Sequence, residues 1–357
     1  VSKVTLKEIA KSLGVSPSLV SGVLNNRPGV WASEETRQRI LQEAVVRGYR
    51  PHAVARALRS GKTYNVLLIY EPLPGVIPVD TFAKHLSAHG YWLQSAVFTS
   101  ITQAQKILHT ASASRTCDAI IVWADERTIE PIEDILCTIN IPVVFKGRYE
   151  RNHPNWYQAD FDHERMMATA VEHLRSIGHQ RIGYMGYPRD REFARSLLRG
   201  YIEAMHSLLG QEVPPLFYEQ PVSYAEEAWE VMERWFQLPE EVRPTAAVIA
   251  SGNEAWYGIE RALLKRGMFI GEGKGEFAVC GQSFEGLILS FGHGYAFQEL
   301  GLQTVAEVMV ERLLLPLLAL QQPSEHVIRI LPPLRMVCSH GYRQYLLPRV
   351  EATSHGK

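Results

Sequence analysis

The chain has 357 residues, 46% of them hydrophobic and 21% charged. That composition excludes a disordered or collagenous chain and gives material for two or three cored domains. The net charge of −1 hides an asymmetry: residues 1–62 hold eleven Lys/Arg against four Asp/Glu, a net +7, and the remainder carries −8. A basic head on an acidic body points to a polyanion partner for the head alone, with a solvated basic face as the plain alternative. No apolar run reaches the roughly 18 residues of a membrane helix. The richest, Leu313 to Leu320, is broken by Pro316. Val1 to Thr5 has no apolar signal region. Cys117, Cys137, Cys280 and Cys338 form no CxxC and no zinc-finger spacing, so they read as reduced core thiols of a cytoplasmic protein.

In chain order, residues 5–13 read as a short helix, with Thr5 as cap and Leu6, Ile9, Ala10 and Leu13 at helical spacing. Gly14 ends it. Ser16 caps a second helix with Pro17 in its first position, and Val20, Val23 and Leu24 give it an apolar face. Two short helices around a Gly turn make a helix-turn-helix candidate, though such units also occur as plain structural modules. Ser33 caps a third helix, Glu34 and Glu35 fill its first turn, and Ile40, Leu41, Ala44 and Val45 form its stripe. Gly48 ends it and Pro51 follows.

From Tyr64 onward, strands alternate with helices. Strands are expected at Val66–Tyr70, Leu93–Phe98, Ala119–Trp123, Pro142–Phe145, Arg181–Met185, Thr245–Ala250 and Phe277–Cys280. Helices are expected at Phe82–His89, Pro131–Ile139, Met166–Ser176, Leu197–Leu209 and Ala255–Lys265. This alternation implies parallel sheets covered on both faces, and two doubly wound lobes suit the length better than one. Gly271 to Gly275 is glycine-rich but lacks phosphate-loop spacing. His85 and His89 lie four apart with no Glu in HExxH position, which suits a solvated face better than a metal. No motif such as GxSxG places a catalytic set. Neither a cofactor nor a metal is expected.

The segments Val4-Thr5-Leu6-Lys7-Glu8-Ile9-Ala10, Gly14-Val15-Ser16, Val20-Ser21-Gly22-Val23-Leu24-Asn25 and Gly48-Tyr49-Arg50-Pro51 closely resemble the head of LacI/GalR-family transcriptional regulators. Pro51-His52-Ala53-Val54-Ala55-Arg56-Ala57-Leu58 resembles that family's hinge helix, with His52 in place of the usual Asn. The resemblance implies that the second helix lies in the major groove with Pro17, Ser18 and Gly22 at base-reading positions. Thr5, Ser16, Ser21 and Asn25 would contact phosphates. Leu58 would wedge into a minor-groove step beside Ala55, with Arg56 and Arg59 on phosphates. Gly22 stands where the family usually has Arg, the best reader of guanine, so direct readout is expected to be weak or shifted.

The likeness continues, more loosely, over Cys117–Val122, Ile141–Val144, His173–Ile182, Gly200–Met205, Pro244–Ile249 and Gln298–Gly301, which are similar to the family's periplasmic-binding-protein-like core. It implies an effector cleft between lobes, at the carboxyl ends of strands. Three positions that hold charged anchors in the family's sugar binders are Leu197, Asn253 and Ser283 here, with Arg195 and Arg199 nearby. Trp123, Tyr187, Trp256 and Phe284 are the aromatic candidates for the cleft wall, with core packing as the alternative for each. The candidate effector residues are therefore Trp123, Arg195, Leu197, Asn253, Trp256 and Ser283.

The sequence is thus expected to build an all-α helix-turn-helix head (1–50), a hinge helix and linker (51–63) and an α/β two-lobed core of doubly wound parallel sheets (64–357). The expected function is sequence-specific DNA binding by a transcription regulator, a repressor rather than an enzyme. Its operator affinity would be modulated by a small, sugar-like effector. The expected partners are double-stranded operator DNA, the effector and a second copy in a homodimer, with no membrane. Two alternatives stand beside this: a regulator with a degenerate cleft and no effector, and a small-molecule or enzymatic module with a vestigial head.

Overall fold

A computed structural model describes residues 4–24, 29–49, 61–72, 77–147, 153–210, 212–272, 276–283, 294–338 and 341–343. The chain divides into two compact units, Val1–Tyr64 and Asn65–Lys357.

The first unit holds three helices, α1 (Leu6–Leu13), α2 (Pro17–Leu24) and α3 (Glu34–Val46). Thr5 and Glu8 close a reciprocal capping box on α1, and Gly14, at φ 67°, ends it in the left-handed region. Ser16 Oγ accepts the Leu19 N–H at 3.1 Å and starts α2. Ser33 Oγ accepts the Thr36 N–H at 3.2 Å and starts α3. Ile9, Ala10, Val20, Val23, Ile40 and Ala44 close the core. Leu41 and Val45 leave the stripe expected of them and are exposed. They sit one residue, about 100° of helix rotation, beyond Ile40 and Ala44, and two eight-residue helices cover only the Ile40–Ala44 line.

The second unit contains two six-stranded sheets. The first is entirely parallel. It comprises β1 (Asn65–Tyr70), β2 (Trp92–Val97), β3 (Ala119–Trp123), β4 (Val143–Lys146), β5 (Trp156–Phe161) and a late strand, β10 (Val327–Ile330). The second comprises β6 (Ile182–Gly186), β7 (Ala246–Ala250), β8 (Ala278–Ser283), β9 (Gly294–Glu299), β11 (Leu334–Cys338) and β12 (Gly341–Arg343). Its first four strands run parallel and the last two add an antiparallel edge. The chain crosses between sheets three times, after β5, after β9 and after β10.

The helices of this unit are α4 (Val79–Ala88), α5 (Ile101–Ser114), α6 (Glu126–Ile129), α7 (Glu133–Thr138), α8 (His163–Ser176), α9 (Glu192–Leu209), α10 (Ala225–Gln237), α11 (Glu254–Leu264) and α12 (Leu302–Val308). The helix expected over Pro131–Ile139 opens in a 3-10 turn, Glu130–Ile132, which contains Pro131, and is α-helical only from Glu133 to Thr138. Proline has no N–H for an α ladder at that point. α12 runs through a π turn, Met309–Leu314, into a last turn that contains Pro316. Phe98, Phe145 and Trp156 anchor the first lobe's core, and Trp235, Trp256, Tyr295 and Phe297 the second's. The Tyr201 hydroxyl donates to the Ile182 carbonyl at 2.6 Å and ties α9 to β6. Cys117 and Cys280 are buried as expected of core thiols, whereas Cys137, on α7, is exposed.

Candidate nucleic-acid interface and interlobe cleft

On α2 the buried residues are Val20, Gly22 and Val23, and Pro17 and Ser18, in its first turn, are exposed. Thr5 and Ser16 are exposed, with their hydroxyls engaged as helix caps. Ser21 is half-buried. Gly22 does not face outward as a base-reading position should. A Cβ there would lie 2.6 Å from Val30 Cγ2 and 2.9 Å from Val30 Cγ1. The glycine leaves room for the Val30 side chain to pack against the helix. Asn25, Ala55, Arg56, Leu58 and Arg59 lie outside the described residues.

In the second unit a cleft of about 340 Å³ opens between the lobes. Its walls come from strand carboxyl ends and the residues just beyond them: Trp123 of β3 and Asp125 after it, Lys146 of β4, Asp160 of β5, Tyr187 after β6, Asn253 after β7 and Gln282 of β8. Parallel strands all point the same ends at this gap, which is why polar groups collect there. Phe161, His163, Phe193 and Tyr187 form a run of ring contacts along one wall, at centroid distances of 6.5, 6.0 and 5.7 Å in turn.

Four carboxylates, Asp125, Glu126, Asp160 and Glu254, meet two cations, Lys146 and Arg191, in this lining. Asp160 is buried and its Oδ1 has no hydrogen-bond partner, although Lys146 Nζ stands 3.5 Å away. Burial pushes the His163 imidazole below its ordinary range, with Asp160 opposing and Lys146 assisting. Burial likewise pushes the Tyr187 hydroxyl up to about 12, and Glu254 adds to it.

One side of the cleft is bridged from lobe to lobe. Arg191 Nε lies 3.1 Å from Asp125 Oδ2, and Arg127 donates to Asp190 at 2.7 Å. Glu126 Oε1 accepts the Glu192 N–H at 2.5 Å, with Arg195 at 3.8 Å. Burial raises the Glu126 carboxyl, against the lowering effects of that N–H and of Arg195. α9 has no N-cap side chain of its own, so a carboxylate from the other lobe satisfies its first N–H. This explains why the helix starts five residues before the expected Leu197.

The sequence-chosen residues divide. Trp123 and Asn253 line the cleft, as does Tyr187. Ser283 is buried behind Asn253 and donates to its Oδ1 at 3.1 Å. Leu197 and Trp256 are fully buried core residues that line no part of it, and the Trp256 indole N–H donates to the Gln282 carbonyl at 3.2 Å. Arg195 lies outside the lining, paired with Glu192 at 2.8 Å, and Phe284 lies outside the described residues. Sequence reasoning missed Asp125, Lys146, Asp160, His163, Arg191 and Phe193. The available signal was position: Asp125 and Lys146 fall at or just after the ends of recognised strands. β5 itself, with Asp160, went unread. Among the described residues no group of His, Cys, Asp and Glu could hold a metal ion. His85 Nδ1 instead lies 2.7 Å from Glu311.

Residues 5–52 match the model for bacterial regulatory proteins of the lacI family, and residues 171–273 match that for a periplasmic binding protein-like domain. The head of the chain thus carries a match to the lacI family of bacterial regulatory proteins, and its core a match to a periplasmic binding protein-like domain. The HTH-type transcriptional regulator AglR of Rhizobium meliloti is 27% identical to this chain over 274 residues, 75% of each protein. The lactose operon repressor of Escherichia coli is 29% identical over 280 residues, 75% of this chain and 73% of that one. In structure, a lac repressor dimer bound to operator and an anti-inducer superposes with a TM-score of 0.67 at 21% identity, over 97% of this chain and 100% of that chain. A LacI-family regulatory protein from Chloroflexus aggregans gives 0.65 at 19%, over 78% of this chain and 99% of that chain. These likenesses agree with a helical head and a two-lobed α/β core.

Proposed function

We propose that this chain is a lacI-family regulator, a sequence-specific, DNA-binding transcription repressor and not an enzyme, which acts as a homodimer in the cytoplasm. A small molecule in the interlobe cleft sets its affinity for operator DNA. One observation carries the reading: a helix-turn-helix with the first turn of α2 exposed, in a unit of net charge +7, is joined to a separate unit with a cleft. Relatives support the partners. One solved structure is a lac repressor dimer bound to operator, and another is a regulator in complex with cellobiose, at a TM-score of 0.55 and 18% identity. Curated relatives are named as transcriptional regulators and repressors.

The cleft favours an uncharged ring bearing hydroxyls. Its aromatic wall offers apolar faces, and Asp160, Lys146 and Glu254 offer acceptors and donors. Four carboxylates against two cations disfavour phosphorylated sugars. The hinge reading of Ala55, Arg56 and Leu58 belongs to the same proposal. A labelled duplex pool tests the DNA side: binding should weaken linearly in log salt, and Leu58→Ala should reduce specific binding more than bulk DNA binding. Negligible, salt-insensitive binding would favour a module with a vestigial head. A flat thermal-shift screen of the full chain against neutral sugars, sugar phosphates, nucleosides and amino acids would favour a regulator with no effector.

A further inference from the structure

The exposed side of the reading helix is short of reach. Its exposed side chains, Pro17 and Ser18, extend little beyond Cβ. Gly22, one turn after Ser18 on the same row of the helix, has no side chain and is covered by Val30. The residue after Val30 is Trp31, at 92% exposure the most exposed large apolar side chain among the described residues. Its Cα lies one peptide, about 3.8 Å, from that of Val30. Two residues on, Ser33 is fixed as the cap of α3. The backbone at Trp31 is therefore placed at the Gly22 end of the reading helix, between Val30 and the Ser33 cap, with the indole open to solvent in a strongly basic unit.

We propose that Trp31 is a DNA-contacting, specificity-determining residue. Its indole packs on deoxyribose and base edges beside the reading helix and supplies the apolar contact that α2 itself lacks. The inference rests on the DNA-binding reading above. The charge of the unit decides for DNA as the occupant over a protein surface: a +7 head attracts a polyanion, and a planar aromatic group gains most against stacked bases and sugars.

The test uses the full-length protein, its Trp31→Phe and Trp31→Ala variants, and a duplex pool selected by the wild type from random sequence. The wild-type minus Trp31→Phe difference isolates the Trp31 emission among the seven tryptophans. Free protein should show this component open to acrylamide, and saturating duplex should protect it. Trp31→Ala should bind the selected pool at least about tenfold more weakly and bulk DNA nearly as before, while Trp31→Phe keeps most of the affinity. Circular dichroism should show the helices of both variants intact, since an exposed side chain supports no core. The proposal is overturned if Trp31 stays quenchable while duplex anisotropy reports binding, or if Trp31→Ala selects and binds like the wild type. Protection already complete without DNA would assign Trp31 to a protein surface and also overturn it. If the wild type binds no duplex at low salt, the DNA-binding reading itself fails.

Discussion

Gly22 shows how one missing side chain redirects a helix. An arginine there would meet Val30 before it met a base, because its Cβ would sit inside contact distance of both Val30 methyls. Gly22→Arg should therefore lower the stability of the head by about 1–3 kcal/mol, the usual cost of overpacking, without improving operator affinity. Chemical denaturation followed by far-UV dichroism of the head measures the first, and duplex anisotropy the second. His163 offers a residue-scale prediction in pH. Its imidazole is neutral and buried, with its folded pKa below the ordinary value of about 6.5. An unfolded chain then binds more protons than the folded one, so this contribution is complete above pH 6.5 and is lost as pH falls below it. His163→Gln should flatten part of the fall in melting temperature between about pH 6.5 and 5. Part of the slope should remain, because burial also lowers His179.

At the scale of elements, the lobe-to-lobe bridge gives the cleft a partly ionic closure. Its pairs are partly exposed, so each adds no more than about 0–1 kcal/mol and is screened by salt. Raising ionic strength, or substituting Arg191→Ala, should shift the lobes toward a more open form. X-ray scattering of residues 65–357 should show this as a larger radius of gyration, with salt having less effect on the variant. The bridge also marks where sequence reading stops. α1, α2 and α3 announce their own ends through Thr5, Gly14, Ser16 and Ser33, so the head was legible to within a residue or so. α9 takes its cap from Glu126, 66 residues away, and no local pattern reveals that. Strand ends were legible, and with them Trp123 and Asn253. Trp256 was not separable from a cleft residue, because periodicity does not tell which side of a helix faces a sheet and which faces a gap. Asp160 was missed because β5 is buried throughout and shows no alternation.

At the scale of the molecule, head and lobes carry separate apolar clusters. A ligand of the cleft should raise the melting temperature of the lobes in calorimetry: at 100 times its dissociation constant it adds about 2.7 kcal/mol to a one-site fold. The head's own transition should respond to duplex DNA instead. Asp160→Asn, which keeps the shape and removes the carboxylate charge that faces Lys146, should change the ligand-induced shift.

Two of the three places where the chain changes sheet acquire a further meaning from the cleft lining. Phe161 and His163 bracket the first change, and Leu300 and Leu302 bracket the second. An occupant would therefore touch the backbone segments that join the lobes, where a small displacement would correspond to a large swing at a lobe's far edge. Fit at this fulcrum is judged by angle before it is judged by affinity. Two molecules that bind equally tightly can then set different lobe angles and act with opposite sign, one as a release signal and the other as a lock.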